Sequence, residues 1–267
     1  MDTALETMRP LFLLFGLTVL ASAEKPDRMN HLISSLAENI PQVIFGGEWT
    51  TTVVLMNTNG SPVEVEISFW NGADGQALAV PVEGVSGRAS KHKVTIPANG
   101  LSQLNISDRT TNTATLAWGK ADIPCSLSAT CGGVAGEVIL RNSNPTRPDF
   151  ESTYRLVDDG RHLIMLYDQR DFFQTVAVVV ETGFLSFNNN PVAVTLAFRD
   201  EAGQRIHLDQ FDMRPRTMRL INFAAAYPQT VNRRGTMEVS TAQGYLVLSG
   251  IRINPTNAFT ALESFEP

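Results

Sequence analysis

The sequence predicts an all-β fold: two tandem immunoglobulin-like antiparallel β-sandwich domains after an N-terminal signal peptide. Three observations predict it. A block of sequence occurs twice, each copy alternates apolar and polar residues with period two, and charged residues make up only 18% of a 267-residue chain in which Thr, Val, Asn and Gly are plentiful. The length suits two domains, each large enough to bury a core. The expected division is 1–23 signal peptide, 24–40 linker or short helix, 41–156 first sandwich and 157–267 second sandwich.

The apolar run from Leu11 to Leu20 is too short to span a bilayer, and Ala21, Ser22 and Ala23 supply the small residues that a signal peptidase needs. Cleavage is expected after Ala23. A start at Met8 gives a better n-region, because Asp2 and Glu6 otherwise outweigh Arg9. Ile33, Leu36 and Ile40 then recur at helical spacing before Pro41, which marks a short helix or a linker. No later run is long enough to cross a membrane; Val176 to Val180 reads as a buried strand.

The repeat begins with Asn57 to Phe69, followed by Asp74-Gly75-Gln76, and returns as Ser186 to Phe198, followed by Ala202-Gly203-Gln204, at an offset of 129 residues. Asn144-Pro145-Thr146 and Phe150 return as Asn254-Pro255-Thr256 and Phe259, at an offset near 110. Between them, Thr115 to Trp118 is matched to Thr236 to Val239, and the falling offset places an extra loop around Cys125 and Cys131 in the first copy. A period this long marks duplicated domains rather than a short-repeat solenoid.

Within each copy, Val63, Val65, Ile67 and Phe69 alternate with Glu64, Glu66 and Ser68, and Val192, Val194, Leu196 and Phe198 repeat the pattern. One face belongs to a core and one to water. Asn71 to Gly75 and Arg199 to Gly203 are turns. Thr50 to Met56 and Gln174 to Val180 read as antiparallel neighbours of the alternating strands, and further strands fit 93–96, 136–141, 206–211, 218–223 and 244–253. Six or seven short strands per copy suit an immunoglobulin-like sandwich, and one jelly roll spanning the chain is the less economical arrangement.

Pro41-Gln42, Gly46-Gly47, Trp49, Thr50 to Thr52, Arg233-Arg234-Gly235 and the Asn254-Pro-Thr-x-x-Phe259 segment resemble secreted bacterial tandem immunoglobulin-like β-sandwich proteins of unassigned function. The resemblance covers residues 40 to 265. It implies fold and export, and it carries no chemistry.

Cys125 and Cys131 are the only cysteines, in a turn-rich stretch between strand-like runs. A disulfide across that loop is the reading that fits an exported chain, stabilising by about 2 kcal/mol; a redox pair lacks the Cys-x-x-Cys spacing. The histidines, His31, His92, His162 and His207, are dispersed, no serine sits in Gly-x-Ser-x-Gly, and Gly132 to Gly136 lacks the Gly-Lys-Ser/Thr of a phosphate loop. No catalytic, cofactor or metal residue is therefore assigned. Asp158, Asp159, Asp168 and Asp171 cluster at the junction of the copies and form a candidate calcium site without the regular loop spacing.

The net charge of −6 offers no basic field for nucleic acid. Lysine is absent after Lys120, and Arg214, Arg216, Arg219, Arg233 and Arg234 are concentrated in the second copy, alongside 12 acidic residues. Trp49, Trp70 and Trp118 all lie in the first copy. Phe69 takes the inward phase, so Trp70 points outward and is the candidate ligand contact, while Trp118 belongs to the core or its margin. The expected function is a non-catalytic exported binding or structural module of the cell envelope or extracellular space that mediates protein contacts. A carbohydrate-binding module using Trp70, binding envelope polysaccharide, and a periplasmic assembly chaperone are the alternatives.

Overall fold

A computed structural model describes residues 35–124, 133–183 and 190–267. The N-terminal 34 residues, Ala23 among them, and the Cys125 to Cys131 stretch lie outside the described residues. The described residues form a single compact unit.

Its first half holds β1 (Ser35–Phe45), β2 (Trp49–Asn57), β3 (Val63–Asn71), β4 (Val80–Pro81), β5 (Arg88–Ala89), β6 (Lys91–Ile96), β7 (Leu101–Ser107), β8 (Thr115–Pro124), β9 (Val134–Asn142) and β10 (Phe150–Arg155). Two four-stranded antiparallel sheets, ordered β1-β8-β3-β6 and β10-β9-β2-β7, face each other, and β4 and β5 form a small separate ribbon. The second half holds β11 (His162–Asp168), β12 (Gln174–Glu181), β13 (Val192–Asp200), β14 (Arg205–Met213), β15 (Met218–Asn222), the one-turn helix α1 (Phe223–Ala226), β16 (Arg234–Thr241), β17 (Leu246–Ile253) and β18 (Phe259–Phe265). Its eight-stranded sheet is ordered β14-β13-β16-β11-β18-β17-β12-β15.

Removing the β4–β5 ribbon makes the two halves topologically the same. The order β1-β8-β3-β6 becomes β11-β16-β13-β14, and β10-β9-β2-β7 becomes β18-β17-β12-β15. The second half differs in that β18 also pairs with β11, which joins its two layers along one side. In both halves the second strand pairs with the fifth and the third with the sixth, as in an immunoglobulin domain. The outer strands are laid differently, with β1 on β8 and β9 on β2.

The alternating segments behave as their period dictates. Val65, Ile67 and Phe69 are fully buried in one core, and Val194, Leu196 and Phe198 in the other. Val178 and Val180 of β12 are buried on the face opposite Ala177 and Val179, so this strand has no solvent face and reads as a continuous apolar run. Asn144 and Asn254 each accept from the amide and hydroxyl of the threonine two residues on, so the repeated Asn-Pro-Thr is one side-chain-closed turn used twice.

Three expectations are corrected. Residues 35 to 40, expected as a linker or short helix, belong to β1: Ser35 faces Pro124 and Ile40 faces Gly119, and cross-strand pairing overrides a helical spacing only three residues deep. The match of Thr115–Trp118 to Thr236–Val239 is out of register by three. Ala121 lies opposite Ile67 and Val239 opposite Leu196, so the counterpart of Trp118 is Thr236. An odd shift swaps the faces of a strand, which is why the error hides the outward direction of Trp118. The larger insertion in the first half is the ribbon connection. The Phe69 amide bonds to Ser90, 21 residues later, whereas Phe198 faces His207, nine residues later.

The halves meet face to face. Trp70 and Trp118 lie opposite each other on the outer face of β3 and β8, stacked at 4.5 Å, and Trp118 is fully buried against Val178, Val180 and Val247 of the second half. The Trp118 indole N–H donates to the Arg216 carbonyl at 2.7 Å, and the Gln42 amide to the Ser249 hydroxyl at 3.0 Å. A second seam brings β10 beside β18, where the Ala261 amide donates to the Ser152 hydroxyl and Trp49 packs on Phe259.

Candidate functional site

Trp70, the expected exposed contact, is half-buried. It does point away from the Phe69 face, but the second half covers that direction, so one ring face is spent on Trp118 rather than offered to a ligand. The described histidines remain apart: buried His92 bonds the Ala89 carbonyl, His162 lies 4.0 Å from Glu238, and His207 sits beside Tyr227, while His31 lies outside the described residues. Among the described residues no three His, Cys, Asp or Glu side chains converge for a metal. Asp168, one of the four calcium candidates, spends its carboxylate on Arg170 and Arg252, at 2.9 and 3.2 Å.

The connection from β11 to β12, residues 169–173, stands out when set against its counterpart from β1 to β2. The same clamp anchors both. In the first half the Thr51 hydroxyl donates to the Ile44 carbonyl and accepts the Ile44 amide; in the second the Thr175 hydroxyl does the same with Asp168, again seven residues back. This register aligns Gly46-Gly47-Glu48-Trp49 with Arg170-Asp171-Phe172-Phe173, and each set closes with a bond from its fourth amide to its first carbonyl. Gly46 and Gly47 carry φ of 87° and 60°, which glycine adopts freely. In the second half the positive angles fall on Asp171, at 54°, and Phe172, at 63°. Aspartate tolerates the left-handed region, whereas for an aromatic side chain it is strained, at about 1–3 kcal/mol. The side chain that bears this strain is 88% exposed.

What holds the turn is visible around it. The Asp168 carboxylate accepts the Arg170 backbone amide at 3.1 Å and its guanidinium at 3.0 and 2.9 Å. Those bonds, first from the Arg170 side chain, hold the Asp168 carboxyl below the usual carboxylate range against the opposing effect of burial. Arg252 donates to the same carboxylate and lies 3.7 Å above the Phe173 ring. Gln169 is buried, with its side chain bonded to Thr230 and its backbone tied to Arg233 and Asn232, so the 230–234 loop braces the turn from below. Arg234 and Arg170 both reach Glu201. Asp168, Arg170, Arg252, Glu201 and Arg234 are thus paired with one another, and the large exposed group of the turn they support is the phenyl ring of Phe172. The sequence pattern gave no sign of it, because the expected strand begins at Gln174 and nothing in the preceding Phe172-Phe173 pair marks a turn.

No protein-family model matches the chain, and no curated protein matches it. Among solved structures, the M60 catalytic domain with two CBM51 domains of Clostridium perfringens ZmpB aligns with 77% of this chain and 32% of its own length, at 7% identity and a TM-score of 0.18. Agreement that slight carries no argument about fold or function.

Proposed function

We propose that this chain is an exported, non-catalytic binding module of the cell envelope or extracellular space, with two tandem immunoglobulin-like domains, that mediates protein contacts through the Phe172 turn. The observation that carries this reading is the strained, exposed phenylalanine at the position where the other copy has Glu48, a residue outside its pair of positive angles. Strain persists where the surroundings over-determine it, and such positions concentrate at binding sites. Arg170, Arg234 and Arg252 are paired to Asp168 and Glu201, which leaves few polar groups besides Asp171 to hold sugar hydroxyls and favours an apolar protein pocket as the partner. Removal of residues 1–23 and closure of a Cys125–Cys131 disulfide belong to the same proposal.

The test incubates the mature chain, residues 24–267, with envelope extract divided into protein and polysaccharide fractions. Retention of a defined protein that is lost in Phe172→Ser supports the reading. Retention of polysaccharide, or of a protein indifferent to Phe172→Ser, overturns it.

A further inference from the structure

Strands β7 and β15 are the same element of the two copies, each at the edge of its sheet beside β2 or β12. In the first half that edge is covered. The segment before the β4–β5 ribbon's turn runs along it, with Val82 bridged to Ile106 and the Glu83 amide donating to the Asn105 carbonyl at 2.9 Å. The second half has no ribbon, and among the described residues the one backbone bond on the outer side of β15 is that of the Met218 amide to the Gly72 carbonyl, at the start of the strand.

The hydrogen-bonding phase of β15 follows from its neighbours. The Glu181 amide donates to Thr217 and the Met218 amide donates outward to Gly72, so Arg219 and Ile221 bond to β12 while Met218, Leu220 and Asn222 direct their backbone groups away from the sheet. The Met218 carbonyl, both Leu220 groups and the Asn222 amide thereby present four alternating positions to an incoming strand. The Leu220 side chain beside them is 56% exposed.

Charge selects the occupant. Arg214, Arg216 and Arg219 are exposed along this edge and the turn leading into it. Among the described residues none of the three forms an ion pair, whereas Arg170, Arg199, Arg233, Arg234 and Arg252 of the same half all do. Arg219 lies 3.8 Å over the Phe211 ring and its charge reaches Asp209; exposed Asp212 is the other acid on the facing strand. A second copy of this chain would bring two such arginine groups together, so the edge is guarded against itself.

We infer that β15 is an acceptor edge for an extended acidic peptide segment, which adds as an antiparallel or parallel strand, with its backbone on Leu220 and its carboxylates on Arg214 and Arg216. This site is separate from the Phe172 turn and stands without it.

The probe is an end-capped eight-residue peptide of alternating Val and Glu, compared with its Val and Lys counterpart, titrated against the full chain. The Glu peptide should bind at least tenfold more tightly than the Lys peptide and slow hydrogen exchange at the Leu220 and Asn222 amides. Leu220→Pro removes an outward N–H together with the exposed leucine side chain, a change that an edge strand tolerates, and it should weaken binding at least tenfold, as should Arg214→Glu. The exchange measurement on the unaltered chain needs no variant to fold. Absence of Glu-peptide binding, equal binding of the two peptides, or binding that leaves the Leu220 amide exchange unchanged overturns the inference.

Discussion

At the scale of single residues, strain and burial make opposite demands, and Phe172 is where they separate. Phe172→Gly relieves a left-handed phenylalanine, so it should raise stability by about 1 kcal/mol in denaturant titration while abolishing partner retention. A residue kept for the fold alone would lose both together. Tyr154 makes the contrasting case. Its hydroxyl is buried, donates to the Gln42 carbonyl and accepts the Gln42 amide at 3.2 Å, and burial pushes its ionisation far above the ordinary tyrosine value. Tyr154→Phe leaves two buried backbone groups without that partner and should cost about 1–3 kcal/mol, with no effect on binding at the far turn. Asp168 links stability to pH. Its folded pKa lies below the unfolded one, so its contribution is present above the ordinary carboxylate range and is lost as pH falls below about 4 through the folded value. Melting temperature measured from pH 7 to pH 2 should therefore fall less steeply over that acid range in Asp168→Asn than in the parent.

Elements owe their positions to close approaches that sequence reading does not reveal. An ideal Cβ on Gly235 would come within 1.9 Å of the Arg199 carbonyl, where β16 pairs with the end of β13. Gly235→Ala must displace backbone rather than a side-chain tip, and a loss of about 3 kcal/mol in denaturant titration is expected. How much was legible follows from the same distinction. Val63 to Phe69 and Val192 to Phe198 were readable because period two is a property of consecutive residues, and the strands at 50–56, 136–141 and 174–180 followed from their apolar runs. Strands β1, β7, β11 and β18 were not foreseen as strands; β1, β7 and β11 take their partners from segments distant in sequence, whereas β18 pairs with its neighbour β17 across a short turn. The outward phase of Trp70 was correctly read, but what lay opposite it depends on how the halves pack. The Phe172 turn was invisible because neither a positive φ nor exposure leaves a signature in a Phe-Phe pair.

At the scale of the whole molecule, the two copies share side chains across both seams, and this decides how the chain should unfold. Phe259, from the last strand, is buried within the core cluster of the first half, and Ile251, Ile253 and Ala261 pack against the same cluster. Trp118, from the first half, is fully buried against valines of the second, with its indole N–H satisfied by the Arg216 carbonyl. Neither half retains a dry surface if the other unfolds, because the outer faces of β3, β8, β12 and β17 would be exposed together. A single cooperative calorimetric transition is therefore expected for residues 24–267, with the calorimetric and van't Hoff enthalpies equal. Trp118→Ala should lower stability by about 3–5 kcal/mol and move that one transition down by roughly 10 °C for a chain of this size. Two separate transitions in the parent chain, or a Trp118→Ala variant that loses only half of the unfolding enthalpy in the shifted peak, would show that the copies stand alone and that the stacked tryptophans are a contact between independent domains.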